Sequence, residues 1–189
     1  MNTRLLGIFC VIGGLAYLTG GVWLAIAGAP TNPTGVRIAH LFSLIWAGGG
    51  LCGLLGMYVT DAAGTGRIAR ATLSLPAIGL ILVIIDAVIA LITPNPVSPF
   101  AADSPSPLST ISRLLLVIGF LILTIFVLRA KHWTGWGRFT PLGILLALFV
   151  GMLLGNLIGI GFFQLATIGS SWALTGFTVQ TQQTNTSSQ

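Results

Sequence analysis

The chain contains no glutamate, three aspartates and one lysine, and charged residues make up only 6% of its 189 positions. Soluble domains carry roughly a quarter charged residues, so an ordinary soluble domain is excluded. Without Glu the zinc-protease motif HExxH cannot be written, and no GxxxxGK[ST] phosphate loop is present. Cysteine is scarce too: Cys10 and Cys52 fall inside apolar runs with neither disulfide nor metal spacing, and each is expected to act as a small hydrophobe. His132 lies in a polar segment, which leaves His40 alone at membrane depth and rules out a bis-histidine haem. No lysine sits within an apolar run to hold a retinal Schiff base. The expectation is therefore no cofactor, no metal and no enzyme activity.

What is abundant is apolar sequence: 54% hydrophobic residues and a mean hydropathy of +0.99. They fall in blocks of about 17 to 25, the length needed to cross a hydrocarbon core of about 30 Å. The fold class this predicts is all-α, a polytopic transmembrane helix bundle forming one domain over residues 1–179, with 180–189 as a disordered polar tail. Six helices are expected at about 5–28, 36–59, 68–93, 110–129, 141–156 and 160–179, the first read as retained rather than as a cleaved signal. The final apolar region is too long for one helix and barely long enough for two, so a five-helix version is the alternative. Between the third and fourth helices, "TPNPVSPFAADSPSPLST" holds five prolines and reads as the one long loop, 94–109.

The net charge of +5 could suggest nucleic acid or anionic lipid as a partner. The basic residues lie between apolar blocks, however, where the positive-inside rule puts them, and no basic patch with interleaved aromatics points to nucleic acid. Arg4, Arg67, Arg70, Arg129, Lys131 and Arg138 fall on one side, and Arg37 and Arg113 on the other. This predicts a cytoplasmic N-terminus and the Pro-rich loop 94–109 outside. The expected partners are the lipid bilayer, together with other membrane subunits or a second copy through Gly-rich helix faces such as Gly49/Gly53 and Gly151/Gly155/Gly159.

One carboxyl interrupts an apolar run: Asp86, in "LILVIIDAVIALITP". A charged group at mid-membrane costs at least about 2.5 to 3.5 kcal/mol, so such a residue calls for a named partner. If the second helix ends near Val59 and the third starts near Ile68, residue numbers at equal depth add to about 127, which sets Asp86 beside His40. Thr72, Gly79, Asp86 and Thr93 recur every seven residues and form one stripe, and His40, Ser43, Ala47 and Gly50 form a comparable stripe on the preceding helix. A His40–Asp86 interaction in the outer half of the membrane is the resulting expectation. Asn156, Gln164, Arg37 and Arg113 share that depth and would line an outward-facing polar pocket.

The "GRIAR" segment before the third helix and "LRAKHWTGWGRFTPLG" between the fourth and fifth give a layout that resembles small, uncharacterised bacterial multi-pass membrane proteins. What that resemblance implies is a bacterial inner-membrane location, and no catalytic or binding residue comes with it. The function expected is a non-enzymatic structural, accessory or assembly component of the membrane. The alternative is a small proton- or ion-coupled transporter using the Asp/His pair. Replacing Asp86 by Asn and His40 by Ala, singly and together, should give non-additive losses of stability, and strictly additive losses would sink the pairing.

Overall fold

The computed structural model describes residues 2–28, 32–94, 96, 106–133, 135–158 and 161–186, leaving aside the side chains of 152, 154–158, 161–164 and 182–186. Among the described residues six helices, one of them broken in two, form a bundle, and there is no strand. Where helices begin follows from capping chemistry, because the first backbone N–H groups of a helix need acceptors from outside it. Helix α1 (Thr3–Ala27) opens on Asn2, whose side chain accepts the Arg4 N–H. Helix α2 (Pro33–Val59) opens on Asn32, which accepts the Gly35 N–H at 2.6 Å, with Pro33 in the first turn where its missing N–H costs nothing. Further along, the same pairing of cap and proline, Ser106 with Pro107, starts α5 (Pro107–Ala130).

The expected third helix, 68–93, is two pieces: α3 (Arg67–Ala71) and α4 (Ser74–Ile92). Pro76 is the cause. It has no N–H to bond the carbonyl four residues back and its ring crowds that carbonyl, so the chain turns at Thr72 and Leu73 before α4 starts. After α5, a left-handed Lys131 (φ 53°) ends the helix, and a 3-10 segment, Gly135–Phe139, leads into α6 (Thr140–Ile158). The last helix, α7 (Gly161–Thr186), makes six helices and not five when α3 and α4 are counted as one broken helix. It also runs past 179 through residues expected to be a disordered tail, because a nucleated helix extends at the cost of ordering one residue per added hydrogen bond.

The helices close into a ring in which each packs on its neighbours: α1 on α2, α2 on α4, α4 on α5, α5 on α6, α6 on α7 and α7 back on α1. The tightest of these contacts belong to α1, and glycine makes them. "GGLAYLTGG" places doublets at Gly13–Gly14 and Gly20–Gly21, seven residues apart, so each doublet offers the same two faces. Gly13 faces α2, where an added Cβ would stand 2.8 Å from the Cα of Gly49. Gly14 faces α7, where a Cβ would stand 2.6 Å from the Gly169 carbonyl oxygen, and Gly7 repeats that contact against the Gly176 oxygen at 2.6 Å. Backbone thus meets backbone on both sides of α1, and the pairings run antiparallel. On the α4–α5 side Gly119 does the same for the ring of Pro76, 2.6 Å from where its Cβ would be.

Inside the ring sit Trp172, Phe120, Met57, Leu80, Leu123 and Ile144, fully buried, with the Phe120 and Trp172 rings edge to face at 5.5 Å. Trp46 stacks on Tyr17 at 4.5 Å, and the Cys10 thiol donates to the Trp172 carbonyl, tying α1 to α7. Trp46 and Trp172 are both buried and serve as packing residues. Trp133 is buried as well, its indole N–H donating to the Thr60 hydroxyl at 3.1 Å, whereas Trp136 stands 88% exposed.

The outward faces carry Leu5, Ile8, Phe9 and Ile12 on α1, Ile81, Ile85, Val88 and Ile89 on α4, Leu114, Ile118, Leu121 and Ile125 on α5, and Leu146 and Phe149 on α6, all exposed. The interior holds glycine, His40, Ser43, Ser112, Thr124, Ser171 and Thr175. The outside is thus covered by large apolar side chains, while small and polar groups share the interior with the buried aromatic and aliphatic core. Among the described residues four helical stretches, Thr3–Ala27, Pro33–Val59, Arg67–Ile92 and Pro107–Ala130, are long and apolar enough to cross a membrane.

Adjacent glycines on α2 provide a test of the backbone contact. A Cβ on Gly49 would strike the Gly13 Cα and the Phe9 carbonyl oxygen, while a Cβ on Gly48 meets nothing within 4 Å. Gly49→Ala should lower unfolding stability in detergent by about 1 to 3 kcal/mol, and Gly48→Ala should change it by less than about 1 kcal/mol. Equal effects would show that α1 and α2 are not held at backbone distance.

Candidate functional site

Polar side chains gather at the end of the bundle opposite the N-terminus, where α2 begins, α4 ends and α5 begins. Asp86 lies in the fourth turn of α4, half-buried. Its Oδ1 accepts the hydroxyl of Ser106 at 2.7 Å. Ser106 is the N-cap of α5, and its Oγ in turn accepts the Ser109 N–H at 3.0 Å. One hydroxyl therefore joins the carboxyl to the first turn of α5: it gives its proton to Asp86 and takes one from the backbone. In its ionised form the carboxyl would gain further from the positive end of the α5 dipole.

The stripe of Thr72, Gly79, Asp86 and Thr93 explains this choice of partner. Gly79 faces Leu116 of α5, with an added Cβ 2.9 Å from Leu116 Cγ, so Gly79 and Asp86 both look towards α5. The α2 stripe of His40, Ser43, Ala47 and Gly50 is buried throughout, and Gly50 meets Leu80 of α4 and Trp172 of α7. His40 is 3% exposed and, like Arg113, is engaged in an interaction of its own.

Depth can be read directly from the α2–α4 contacts. Arg37 reaches Thr93 and Gly50 faces Leu80, two pairs whose numbers add to 130. On that register Asp86 stands level with about residue 44, and His40 lies about one turn, roughly 6 Å, nearer the start of α2. The expected value of 127 assumed an unbroken helix from Ile68, and the turn at Thr72 and Leu73 removes that assumption.

Of the four residues expected to line a polar pocket, Arg37 is placed at this end, where its Nη2 donates to the Thr93 carbonyl at 3.2 Å, one of the carbonyls the end of α4 leaves without a helical partner. A cation there also complements the negative end of the α4 dipole. Its Nε is buried with no partner among the described residues. Arg113 is half-buried in the second turn of α5. The side chains of Asn156 and Gln164 and most of the Pro-rich loop, 95 and 97–105, lie outside the described residues.

Sequence reasoning missed Ser106 because it sits in a segment read as loop. The signal was there, since Ser followed by Pro is a helix-start pattern. Chemically the arrangement is a set of crossed helix ends, a carboxyl at the start of α5 and a guanidinium at the end of α4. No group of three His, Cys, Asp or Glu side chains lies together among the described residues. No protein-family model, curated protein or solved structure matches the chain.

Ser106→Ala removes both the cap and the proton given to Asp86, and should cost about 1 to 2 kcal/mol of stability. Asp86→Ala should cost a similar amount, and the double variant should lose less than the sum, read from denaturation in detergent. Additive losses would show that the two side chains do not share a bond in solution.

Proposed function

We propose that the chain is a multi-pass integral protein of a bacterial inner membrane that serves as a structural, accessory or assembly component without enzyme activity. The observation that carries the membrane reading is the apolar exterior: Leu, Ile, Val and Phe stand exposed on the outward faces of helices around the ring, while His40 and several hydroxyl side chains are buried beside glycine and the apolar core. In water that surface would drive association. In lipid it is the ordinary exterior, and close contact between small residues replaces the hydrophobic effect as the force between helices.

Orientation rests on the cations. Trp133 bonded to Thr60, Ala130 beside Gly64, and Gln180 over Gly7 bring the α2–α3 loop, the α5–α6 loop and the C-terminal turns of α7 to the N-terminal end of the bundle. Arg4, Arg67, Arg70, Arg129, Lys131 and Arg138 belong to that end, and Asp61, the acid nearest them in the chain, is already bonded to Arg70 at 2.9 Å. The positive-inside rule then puts this end in the cytoplasm and the Pro-rich loop outside.

The role of Asp86 supports the structural reading over proton-coupled transport. A bond to the cap of α5 gives the carboxyl a fixed task at a helix junction. With short connections at the cytoplasmic end, the parts of the molecule available to partners are its lipid-facing helices and the Pro-rich loop.

Reporter fusions after residues 100, 135 and 189 should report outside, inside and inside in turn, and the chain should stay in the membrane pellet after alkaline carbonate. A C-terminus found outside would overturn this topology. Gentle purification should yield stoichiometric partner chains. A lone protein whose Asp86→Asn variant loses proton-coupled uptake in vesicles would replace the accessory role with transport.

A further inference from the structure

Alongside the α6–α7 contact the packing leaves a groove on the outer side of the ring. Two adjoining cavities of about 450 and 500 Å³ share Gly143, Ser171 and Leu174 and together form one groove open to the side. The first, partly enclosed, falls within the range of sites that hold a lipophilic small molecule, about 300 to 1,000 Å³, and the second is its shallow extension. Along α7 the groove runs from Thr181 to Ala166, which at the helical rise is about 22 Å. That spans the acyl region of one leaflet, half of a core of about 30 Å.

The walls suit a hydrocarbon chain. Leu174 and Phe177 are exposed large hydrophobics, and Gly143 leaves its side open, with nothing within 4 Å of an added Cβ. The hydroxyls along the walls, those of Thr140, Thr167, Ser170, Ser171, Thr178 and Thr181, each donate to a backbone carbonyl. An apolar occupant would therefore strand no donor among them, and burying a polar group without a partner is the usual cost of filling such a space.

The mouth is polar in one sense only. The 3-10 segment Gly135–Phe139 forms a ledge there, with Trp136 88% exposed and the Arg138 guanidinium 4.7 Å above the ring of Phe139, a residue that lines the groove. Arg138, Lys131 and Arg129 have no acid beside them in sequence, since the last aspartate is Asp103. Trp at the interface and cations beyond it are the features that meet an anionic headgroup.

We propose that this groove binds an anionic glycerophospholipid of the cytoplasmic leaflet, one acyl chain lying between α6 and α7 and the phosphate against Arg138. The proposal rests on the membrane reading above and adds a lipid of stated charge at a stated place.

The test uses the full chain in mild detergent, equilibrated with equimolar dioleoyl-phosphatidylglycerol and dioleoyl-phosphatidylcholine and weighed by native mass spectrometry. The protein should retain the anionic lipid about fivefold over the zwitterionic one, the factor that one cation near a lipid surface supplies. Arg138→Gln should bring the ratio close to one. Gly143→Phe, whose Cβ meets nothing within 4 Å and whose ring would occupy the groove, should cut retention of both lipids several-fold at unchanged helical content and melting temperature. If that variant folds poorly, Leu174→Trp fills the groove from the opposite wall and should do the same. Equal retention of the two lipids by the unaltered chain, or full retention by a folded groove-filled variant, would overturn the proposal. A chain that carbonate strips from the membrane would instead fail the spanning topology, so the two failures are told apart.

Discussion

The distance between α1 and its two neighbours sets the rest of the bundle. Gly13 against Gly49 on one side, and Gly7 and Gly14 against Gly176 and Gly169 on the other, leave no room for a single methyl group. Such contacts matter most where the solvent is hydrocarbon. There an apolar side chain gains nothing by leaving lipid for protein, and helices associate through close packing and hydrogen bonds. The glycine doublets make one helix bond to two partners at once, because consecutive residues point about 100° apart on a helix and a seven-residue repeat keeps both faces aligned. With α2 and α7 drawn in, Cys10, Gly53 and Trp172 interlock at the centre, and the edge of Trp172 against Phe120 carries the contact across to α5.

The second constraint is polar. Every helix end leaves backbone groups without partners, and inside or near a membrane these are costly. At the end where α2, α4 and α5 meet, side chains answer the ends of neighbouring helices: Asp86 of α4, through Ser106, answers the start of α5, and Arg37 of α2 answers the end of α4. The single carboxyl within an apolar run thereby acts as a junction, and its placement follows from where α5 starts.

Much of this fold is legible in the sequence, for a physical reason. A helix that crosses about 30 Å of hydrocarbon must be both long and apolar, so run length alone places α1, α2, α5 and the α3–α4 pair to within a few residues. The break at Thr72 and Leu73 was also written there, in Pro76, yet an apolar run of the right length hides a proline near its start. Depth matching across a hairpin inherits that error directly, and a shift of three residues sets Asp86 level with about residue 44 instead of 41. Ser106 illustrates a different limit. It is polar, flanked by prolines and outside any apolar run, and only its pairing with Pro107 marks it as a cap. The glycine faces were visible as spacings, but 25 glycines generate many spacings, and which ones touch is decided by the ring order of the helices.

That ring order also explains where a groove remains. Helix α7 has one face of small residues, Gly169, Ala173 and Gly176, and it is fully taken up by α1. What it shows to the groove beside α6 is Ser170, Leu174 and Phe177, larger residues that leave space around them. Helix α6 answers with Gly143, whose missing side chain is here a gap rather than a meeting point. The same residue type thus does opposite things at two places in one bundle: against a second small residue it closes an interface, and against a bulky one it leaves a groove. Closure of the α1–α7 seam and the groove at the α6–α7 seam are two results of a single commitment, because a helix that gives its smooth face to one neighbour has only its rough face for the next.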